Sequence, residues 1–210
     1  MPLNASEAKT HVCSRHLTLS RLTFHCYSSS DSAVNFRALL GALLRKSLKT
    51  QQQSIHTFQQ YLRERTPYVT DWSLFSMRPC LRILKRCSQC SSMNQATDLQ
   101  EDFKTLEIIF EVIGSIIKED ADLSTPVSEI GKSLRSLQRF TKQLLCEIHT
   151  FLLLSGTHSI GNGFINDVVK SQDWCVFSSI SSRYERDIYL LRQIANISSK
   201  IHKRSLDTAE

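Results

Sequence analysis

Few residues in this chain stand at spacings that support chemistry, and each of these has an ordinary alternative. Cys87 and Cys90 form a single CxxC, which supplies two of the four ligands that a structural zinc ion requires. The sequence has no second CxxC and no HxxxH to complete the set. The sequence therefore favours ordinary core or surface cysteines over a zinc site.

The remaining candidates for catalysis are equally isolated. His158 stands among small polar residues, where a loop histidine is far more often solvated than catalytic. The acids Asp167, Asp173 and Glu185 lack a spacing that would focus them on one metal. No Gly-rich phosphate loop, HExxH or GxSxG is present. We expect a protein with no catalytic residue, no metal site, no cofactor and no small-molecule substrate.

Charge divides the chain into two unlike halves. Residues 1–100 contain 13 Lys and Arg against 5 acids, whereas residues 101–210 contain 13 against 15. Clustered Lys and Arg bind polyanions because they release condensed counterions, and DNA is the simplest such partner. A solvated basic surface explains the same asymmetry equally well.

The first thirty residues and the cysteines bear on the cellular compartment. Residues 1–32 are predicted to form a disordered tail. The first thirty residues lack the continuous apolar stretch of a secretory signal, and a mitochondrial presequence is the rival interpretation. No apolar stretch reaches the roughly 18 residues that cross a bilayer. The chain has seven cysteines, an odd number, which together with the missing export signal favours reduced thiols.

Apolar residues recur mostly at three or four through residues 33–63, and this spacing predicts one amphipathic helix. The recurring residues are Phe36, Leu40, Leu43, Leu44, Leu48, Ile55, Phe58 and Leu62. Gln51–Gln53 is either a polar stretch of this helix or a break within it, and Pro67 ends it. A short helix is predicted at 81–85, followed by an exposed loop at 88–97.

The clearest helix begins at Leu99 and continues through Ile117, with Asp98 and Glu101 in a capping-box pattern at its start. Its apolar stripe is wide, so we expect it to be buried against more than one neighbour. A third helix is predicted to follow the N-cap Thr125 and to end near Ser155.

The last stretch predicts a long helix, with a short one before it over 164–169. The stripe of the long helix comprises Phe177, Ile180, Tyr184, Ile188, Leu191 and Ala195. Residues after Lys203 are expected to fray. The predicted fold is therefore all-α, a bundle or stacked helical hairpins of four to five long helices. The helical domain spans 33–204, with a helical core at 80–201.

Several segments in the second half resemble, in order, segments of the meiosis-specific Mei-four family of accessory factors for meiotic DNA double-strand breaks. The similarity covers about residues 80 to 192. Its segments are Ile83–Ser88, Leu99–Leu106, Val127-Ser128, Leu144-Leu145, Leu152–Ser155, Asn162–Phe164, Ser182–Glu185 and Tyr189-Leu190.

The resemblance implies a non-enzymatic nuclear protein on the meiotic chromosome axis. Such a protein binds DNA together with a partner subunit, a PH-like domain protein with a dimerised C-terminal region. The N-terminal helix through which family members bind that partner has only a pattern-level counterpart here, within 33–63. The residues predicted to bind the partner are Phe36, Leu39, Leu40, Leu43 and Leu44, and core packing explains them equally well. The residues predicted to contact phosphates are Arg45, Lys46, Lys49, Arg82, Lys85 and Arg86.

Two alternatives from other classes remain open. A long-chain four-helix cytokine fits the size, the long helices and a Trp174-containing region before the last helix. That class requires export and oxidised cysteines, so counting free thiols separates it from the meiotic hypothesis. An intracellular helical adaptor of unrelated lineage is the other alternative.

Overall fold

The computed structural model describes residues 36–69, 95–123, 128–154 and 179–209. These ranges contain four long helices, α1 (Phe36–Arg65), α2 (Gln95–Leu123), α3 (Glu129–Leu154) and α4 (Ile180–Ala209), and no strand. A 3-10 turn at Thr66–Tyr68 follows α1 and has Pro67 near its start, as the sequence predicts. The all-α fold is confirmed. The predicted tail and the short helices at 81–85 and 164–169 lie outside the described residues.

Side-chain contacts show that α1 runs antiparallel to α4. Near the start of α1, Ser47 Oγ lies 2.9 Å from His202 Nδ1 in the last part of α4. Near the end of α1, Tyr61 Oη donates to Asp187 Oδ2 at 2.8 Å, in the first part of α4. The two helices therefore pack along most of their length in opposite directions.

Side-chain contacts also show that α1 runs antiparallel to α3. Lys46 Nζ donates to Gln143 Oε1 at 2.9 Å, and further along α1 Gln53 Nε2 donates to Ser133 Oγ at 3.1 Å. Because α3 and α4 both oppose α1, they are parallel to each other.

The second helix runs in the direction of α1. Arg186 at the start of α4 binds Glu119 at the end of α2, and Arg204 near the end of α4 binds Asp102 near the start of α2. Arg65, the last residue of α1, binds Asp120 at 2.9 Å, so α1 and α2 end at the same end of the bundle. The helices therefore form two parallel pairs, α1 with α2 and α3 with α4.

The order around the bundle is α1, α3, α2, α4, which places each parallel pair on a diagonal. A helix of about 29 residues is about 43 Å long, so a link between parallel helices needs at least about 12 extended residues. Residues 69–94 and 155–179 are long enough for this, whereas 124–128 joins the antiparallel pair α2 and α3. The connectivity is thus up-up-down-down, with two long crossovers and one short turn.

One apolar core runs through the four helices. The largest fully buried side chains are Tyr61, Leu43, Leu106, Ile109, Ile113, Ile116, Ile130, Leu134, Leu137, Leu144 and Leu145. Only Lys104 and Lys118 are exposed among residues 98–120 of α2, and this helix packs against both α3 and α4. The prediction that it is buried against more than one neighbour is confirmed.

The predicted apolar face of α1 is partly wrong. Leu48 and Ile55 were assigned to the buried stripe, but they are 40% and 37% exposed. The buried face instead follows residues spaced at three and four, most of them hydroxylated. These residues are Leu39, Leu43, Ser47, Thr50, Ser54, Thr57 and Tyr61. Short hydroxyl side chains fill this seam because they bond within their own helix, as Thr50 Oγ1 does with the Lys46 carbonyl at 2.9 Å. The helix continues through Gln51–Gln53 without a break.

Two predicted N-caps are also wrong. The second helix begins at Gln95, so Asp98 stands in its first turn and not at its N-cap. The third helix is capped by Ser128 and not by Thr125: the Gly131 N–H donates to Ser128 Oγ at 3.0 Å. Asp98 and Thr125 are both residue types that cap helices well. Other residues close to each helix start can take the same place, and the sequence alone does not choose between them.

The last helix continues to Ala209, past the predicted fraying point at Lys203. Arg204 reaches across to Asp102 on α2, and Ser205 is buried and donates to the Ile201 carbonyl at 2.9 Å. These contacts hold the final turns against the bundle. Tyr184, Ile188, Leu191 and Ala195 of the predicted stripe are buried, whereas Ile180 is 49% exposed.

Candidate functional site

The predicted partner-binding leucines belong to a helix inside the bundle. Leu43 is fully buried and Leu39 is buried in the same core, while Leu40 and Leu44 are half-buried. Phe36 is the first residue of α1. The segment that the sequence separates as a partner-binding helix therefore contributes one of the four bundle helices. Among the four leucines, Leu40 and Leu44 offer surface to a partner and Leu39 and Leu43 do not.

The predicted phosphate-binding residues divide in the same way. Arg45 and Lys49 are exposed on α1, and Lys46 is half-buried because it donates to Gln143 on α3. Arg82, Lys85 and Arg86 lie outside the described residues. The structure thus brings Arg45, Lys46 and Lys49 together on one side of α1.

Five of the six residues that the sequence offers for chemistry lie outside the described ranges: Cys87, Cys90, His158, Asp167 and Asp173. Glu185 is buried within α4. Among the described residues, no group of three or more His, Cys, Asp or Glu is placed to hold a metal ion.

The most concentrated charge in the described structure lies where α1 and α2 end and α4 begins. We call this cluster of Tyr61, Arg65, Glu119, Asp120, Arg186 and Asp187 the charged end. The Arg186 side chain is 1% exposed, and its Nη2 lies 2.6 Å from Glu119 Oε2 and 2.7 Å from Asp187 Oδ1. One guanidinium thereby joins α4 to α2.

Tyrosines complete the charged end. Tyr61 donates to the second oxygen of Asp187, and its ring meets Tyr184 edge-on with centroids 6.3 Å apart. The Arg65 guanidinium carbon lies 4.8 Å from the centre of the Tyr184 ring. Tyr68 contacts Tyr184 as well and is itself 60% exposed.

Burial and partner charges set the ionisation of this cluster. Burial raises the pKa of Asp187 to about 6, and the charge of Arg186 and the hydrogen bonds from Arg186 and Tyr61 oppose that rise. Burial raises the pKa of Tyr61 well above its ordinary value, and Asp187 raises it further, so Tyr61 remains a donor. Burial lowers the pKa of Arg186, but Asp187 and Glu119 outweigh it and the net shift is upward. The charged end therefore holds the helices together, because every polar group named here bonds to another helix or to its neighbour in the chain.

The surface that sequence reasoning missed lies along the α1–α4 seam. Leu48 and Ile55 project from α1 two turns apart, about 10 Å. Leu206 on α4 is 44% exposed and follows His202, which contacts Ser47, by one turn. Leu44, Leu48, Ile55 and Leu206 therefore form an apolar strip on one side of the bundle. Single exposed leucines are common, and this strip differs from them only in that its four apolar side chains lie along one side of the bundle.

The signal for this strip was present in the sequence. Positions 47, 50, 54, 57 and 61 repeat at three and four, as a buried face does, but hydroxyl residues occupy most of them. Apolar spacing alone places Leu48 and Ile55 on the buried face of α1, whereas both are exposed.

Cys146 on α3 is disulfide-bonded, and its partner cysteine lies outside the described residues. This corrects the expectation that all seven cysteines are reduced thiols. Stable disulfides are typical of oxidising compartments and rare in the cytosol and nucleus. Within the described ranges, no helix combines the length and apolar character that a bilayer crossing needs.

Fold and surface together define this chain as an up-up-down-down four-helix bundle with an apolar strip on one helix seam. Comparisons with protein-family models, curated proteins and solved structures found no match to this chain.

Proposed function

We propose that this protein is an extracellular four-helix ligand of the long-chain cytokine type, which binds a cell-surface receptor through a helix face. The observation that carries the proposal is the parallel pairing of α1 with α2, fixed by Arg65 and Asp120 at the end where both helices stop. Two parallel pairs with two long crossovers are the connectivity of growth-hormone and cytokine bundles. This is an inference by fold analogy, so it needs support from the surface as well.

The apolar strip supplies that support. Receptor interfaces depend on a few apolar or aromatic anchors that become buried on binding. Leu48 and Ile55 are suited to this role because they are 40% and 37% exposed on one side of α1. The disulfide at Cys146 further supports an oxidising, extracellular setting.

The meiotic function, with its nuclear axis location, DNA and partner subunit, remains the competing proposal. It is motivated by the ordered segment matches and by the basic N-terminal half. Two of its predicted partner-binding residues, Leu39 and Leu43, fill the bundle core, and the basic Arg45 and Lys49 lie on the solvent side of α1. The disulfide at Cys146 does not favour a reducing compartment. No observation on the described residues favours the meiotic function over the ligand.

Binding to intact cells tests the proposed function. Labelled protein with its disulfide intact is titrated onto a panel of cell types, and unlabelled protein is added as competitor. We expect saturable, displaceable binding on at least one cell type. A double variant, Leu48→Glu with Ile55→Glu, is expected to lose about tenfold or more in affinity, since two anchors then carry charge into the interface.

A matched control uses the same substitution elsewhere. Leu153→Glu with Leu154→Glu changes two leucines of similar exposure, 45% and 47%, at the end of α3 and off the strip. This control is expected to bind within about twofold of the parent, a difference below 0.5 kcal/mol. Circular dichroism confirms that both variants fold. Binding that unlabelled protein does not displace, or equal loss in both double variants, would overturn the proposal.

A further inference from the structure

The opposite side of α1 carries a second surface of different chemistry. Two helices that pack side by side contribute to it: α1 carries Arg45, Lys46 and Lys49, and α3 carries Arg139 and Lys142. We call these five residues the basic face. The hydrogen bond from Lys46 to Gln143 holds the two helices side by side at this level. Because α1 and α3 are antiparallel, Arg139 stands one turn from Gln143, at about the level of Lys49.

The positive charges of the basic face are not neutralised within the described structure. Arg45, Lys49 and Arg139 are exposed, and none of them takes part in an ion pair with another described residue. Arg139 lies beside the Phe140 ring, 5.2 Å from its centre, which leaves the hydrogen-bonding edge of the guanidinium available to a ligand.

The basic face extends along the seam beyond these five residues. His56 on α1 and Lys132 on α3 continue it, although Lys132 is paired with Glu129 at 2.6 Å. From Arg45 to His56 the face is about 16 Å long, and neighbouring helix axes are about 8–10 Å apart. The seam between the rows is polar, since Gln53 bonds to Ser133 there. Two rows of cations flanking a polar groove match a linear polyanion that carries hydroxyl groups.

From this arrangement we infer that the basic face binds a sulfated polysaccharide. Leu48 and Ile55 each stand two residues after a side chain that bonds to α3, Lys46 and Gln53, so they project about 160° away from that side of α1. The basic face along the α1–α3 seam is therefore separate from the apolar strip. The choice of a polysaccharide over DNA rests on the proposed extracellular function and on Cys146, which is disulfide-bonded one turn beyond Lys142. In an oxidising extracellular setting, sulfated polysaccharides are the linear polyanions that the protein meets.

Heparin is the probe for this inference. Binding of the intact protein to heparin is measured over a range of salt concentrations, because the affinity for a polyanion falls in proportion to the number of cations that contact it. The triple variant Arg45→Gln, Lys49→Gln, Arg139→Gln is expected to lose at least about tenfold in affinity at physiological salt. Its logarithmic salt slope should fall by about 2 to 3.

The matched control removes the same charge from other surfaces. Lys118→Gln, Arg192→Gln, Lys203→Gln changes three exposed residues on α2 and α4. We expect this control to bind heparin within about threefold of the parent, a difference below 1 kcal/mol. Equal weakening in both triple variants would mean that binding follows net charge alone and would overturn the inference. Tighter binding of duplex DNA than of heparin at the same salt would overturn it as well.

The two proposals fail separately. Displaceable binding to cells treated with heparin lyases reports on the receptor, whereas the heparin titration reports on the basic face. If the protein does not bind heparin but still binds lyase-treated cells and is displaced by unlabelled protein, only the inference of polysaccharide binding is contradicted.

Discussion

The buried faces of α1 and α2 stabilise the same bundle by different means. Between residues 47 and 60, the buried positions of α1 are polar: Ser47, Thr50, Ser54, Thr57 and Gln60. Over its own central turns, α2 buries mainly aliphatic side chains: Leu106, Ile109, Val112, Ile113 and Ile116.

The buried face of α2 contributes mainly apolar area, whereas the buried face of α1 contributes polar contacts that fix the orientation of the helix. Aliphatic burial contributes about 25 cal/mol per Å² without direction, so it stabilises α2 strongly but does not select its register. The polar groups of α1 gain less free energy each. Those that bond across helices, Ser47 to His202 and both Gln53 and Thr57 to Ser133, do so only when the helices are in one register. Because orientation fixes which residues of α1 are exposed, the polar seam determines where the apolar strip and the basic face lie.

The charged end joins the two kinds of helix, and breaking it should give the largest effect. Arg186→Met leaves Glu119 and Asp187 without their shared guanidinium in a buried setting. We expect a loss of about 3–5 kcal/mol in the free energy of unfolding, because the carboxylates then lack a compensating charge. Urea unfolding followed by circular dichroism measures it.

The control for this prediction is Lys132→Met, which breaks the exposed pair with Glu129 and should cost less than about 1 kcal/mol. If both substitutions cost the same, the charged end is not a buried clamp.

Two alanine substitutions, one in α2 and one in α1, compare the two buried faces directly. Ile113→Ala in α2 removes a fully buried side chain and is expected to cost about 3 kcal/mol. Thr50→Ala in α1 removes a hydroxyl that bonds only to the carbonyl one turn back, and should cost less than about 1 kcal/mol. Similar losses in the free energy of unfolding at the two sites would contradict the claim that α2 contributes mainly buried apolar area and α1 mainly orientation.

Glu107 on α2 gives a pH-dependent test of the buried surface. Burial raises its pKa to about 7, Glu111 adds to the rise and Lys104 opposes it. Since the folded-state pKa lies above the unfolded one, the ionised carboxylate destabilises the fold, and stability falls as pH rises from about 5 to 8. Glu107→Gln should therefore stabilise the protein, by about 2 kcal/mol at pH 8 and by much less at pH 5. An equal gain at both pH values would show that Glu107 is not buried in this way.

The smallest effect concerns register. Thr57 Oγ1 and Ser133 Oγ lie 2.9 Å apart across the α1–α3 seam. Thr57→Val and Ser133→Ala should each cost about 1 kcal/mol, and a double-mutant cycle should give a coupling energy of about 0.5–1.5 kcal/mol. Strict additivity would show that the hydroxyls do not bond to each other.

The sequence predicted the helices better than the surfaces. Strong apolar periodicity located α2, α3 and α4, because a helix that buries Ile and Leu at every turn repeats at three and four. The same argument misassigned Leu48 and Ile55, since the buried positions of α1 hold Ser and Thr, which also occur on exposed faces. Periodicity of small residues, and not only of apolar ones, would have identified the buried face.

The charged end could not be predicted from the sequence. Its pairs join residues far apart in the chain, as Tyr61 with Asp187 and Glu119 with Arg186. Nothing local distinguishes these side chains from the solvated charges around them, and only the relative direction of the helices brings them together. The parallel pairing of α1 with α2 was beyond prediction for the same reason, and with it the connectivity on which the proposed function depends.

The state of the cysteines in the protein recovered from the tissue that makes it tests the extracellular assignment most directly. Alkylation before and after reduction, followed by mass spectrometry, identifies each protected thiol. We predict that Cys146 is labelled only after reduction and that at most five of the seven thiols are free beforehand, because one disulfide consumes two. Labelling of all seven thiols without reduction would contradict an extracellular ligand and would indicate that the protein resides in a reducing compartment.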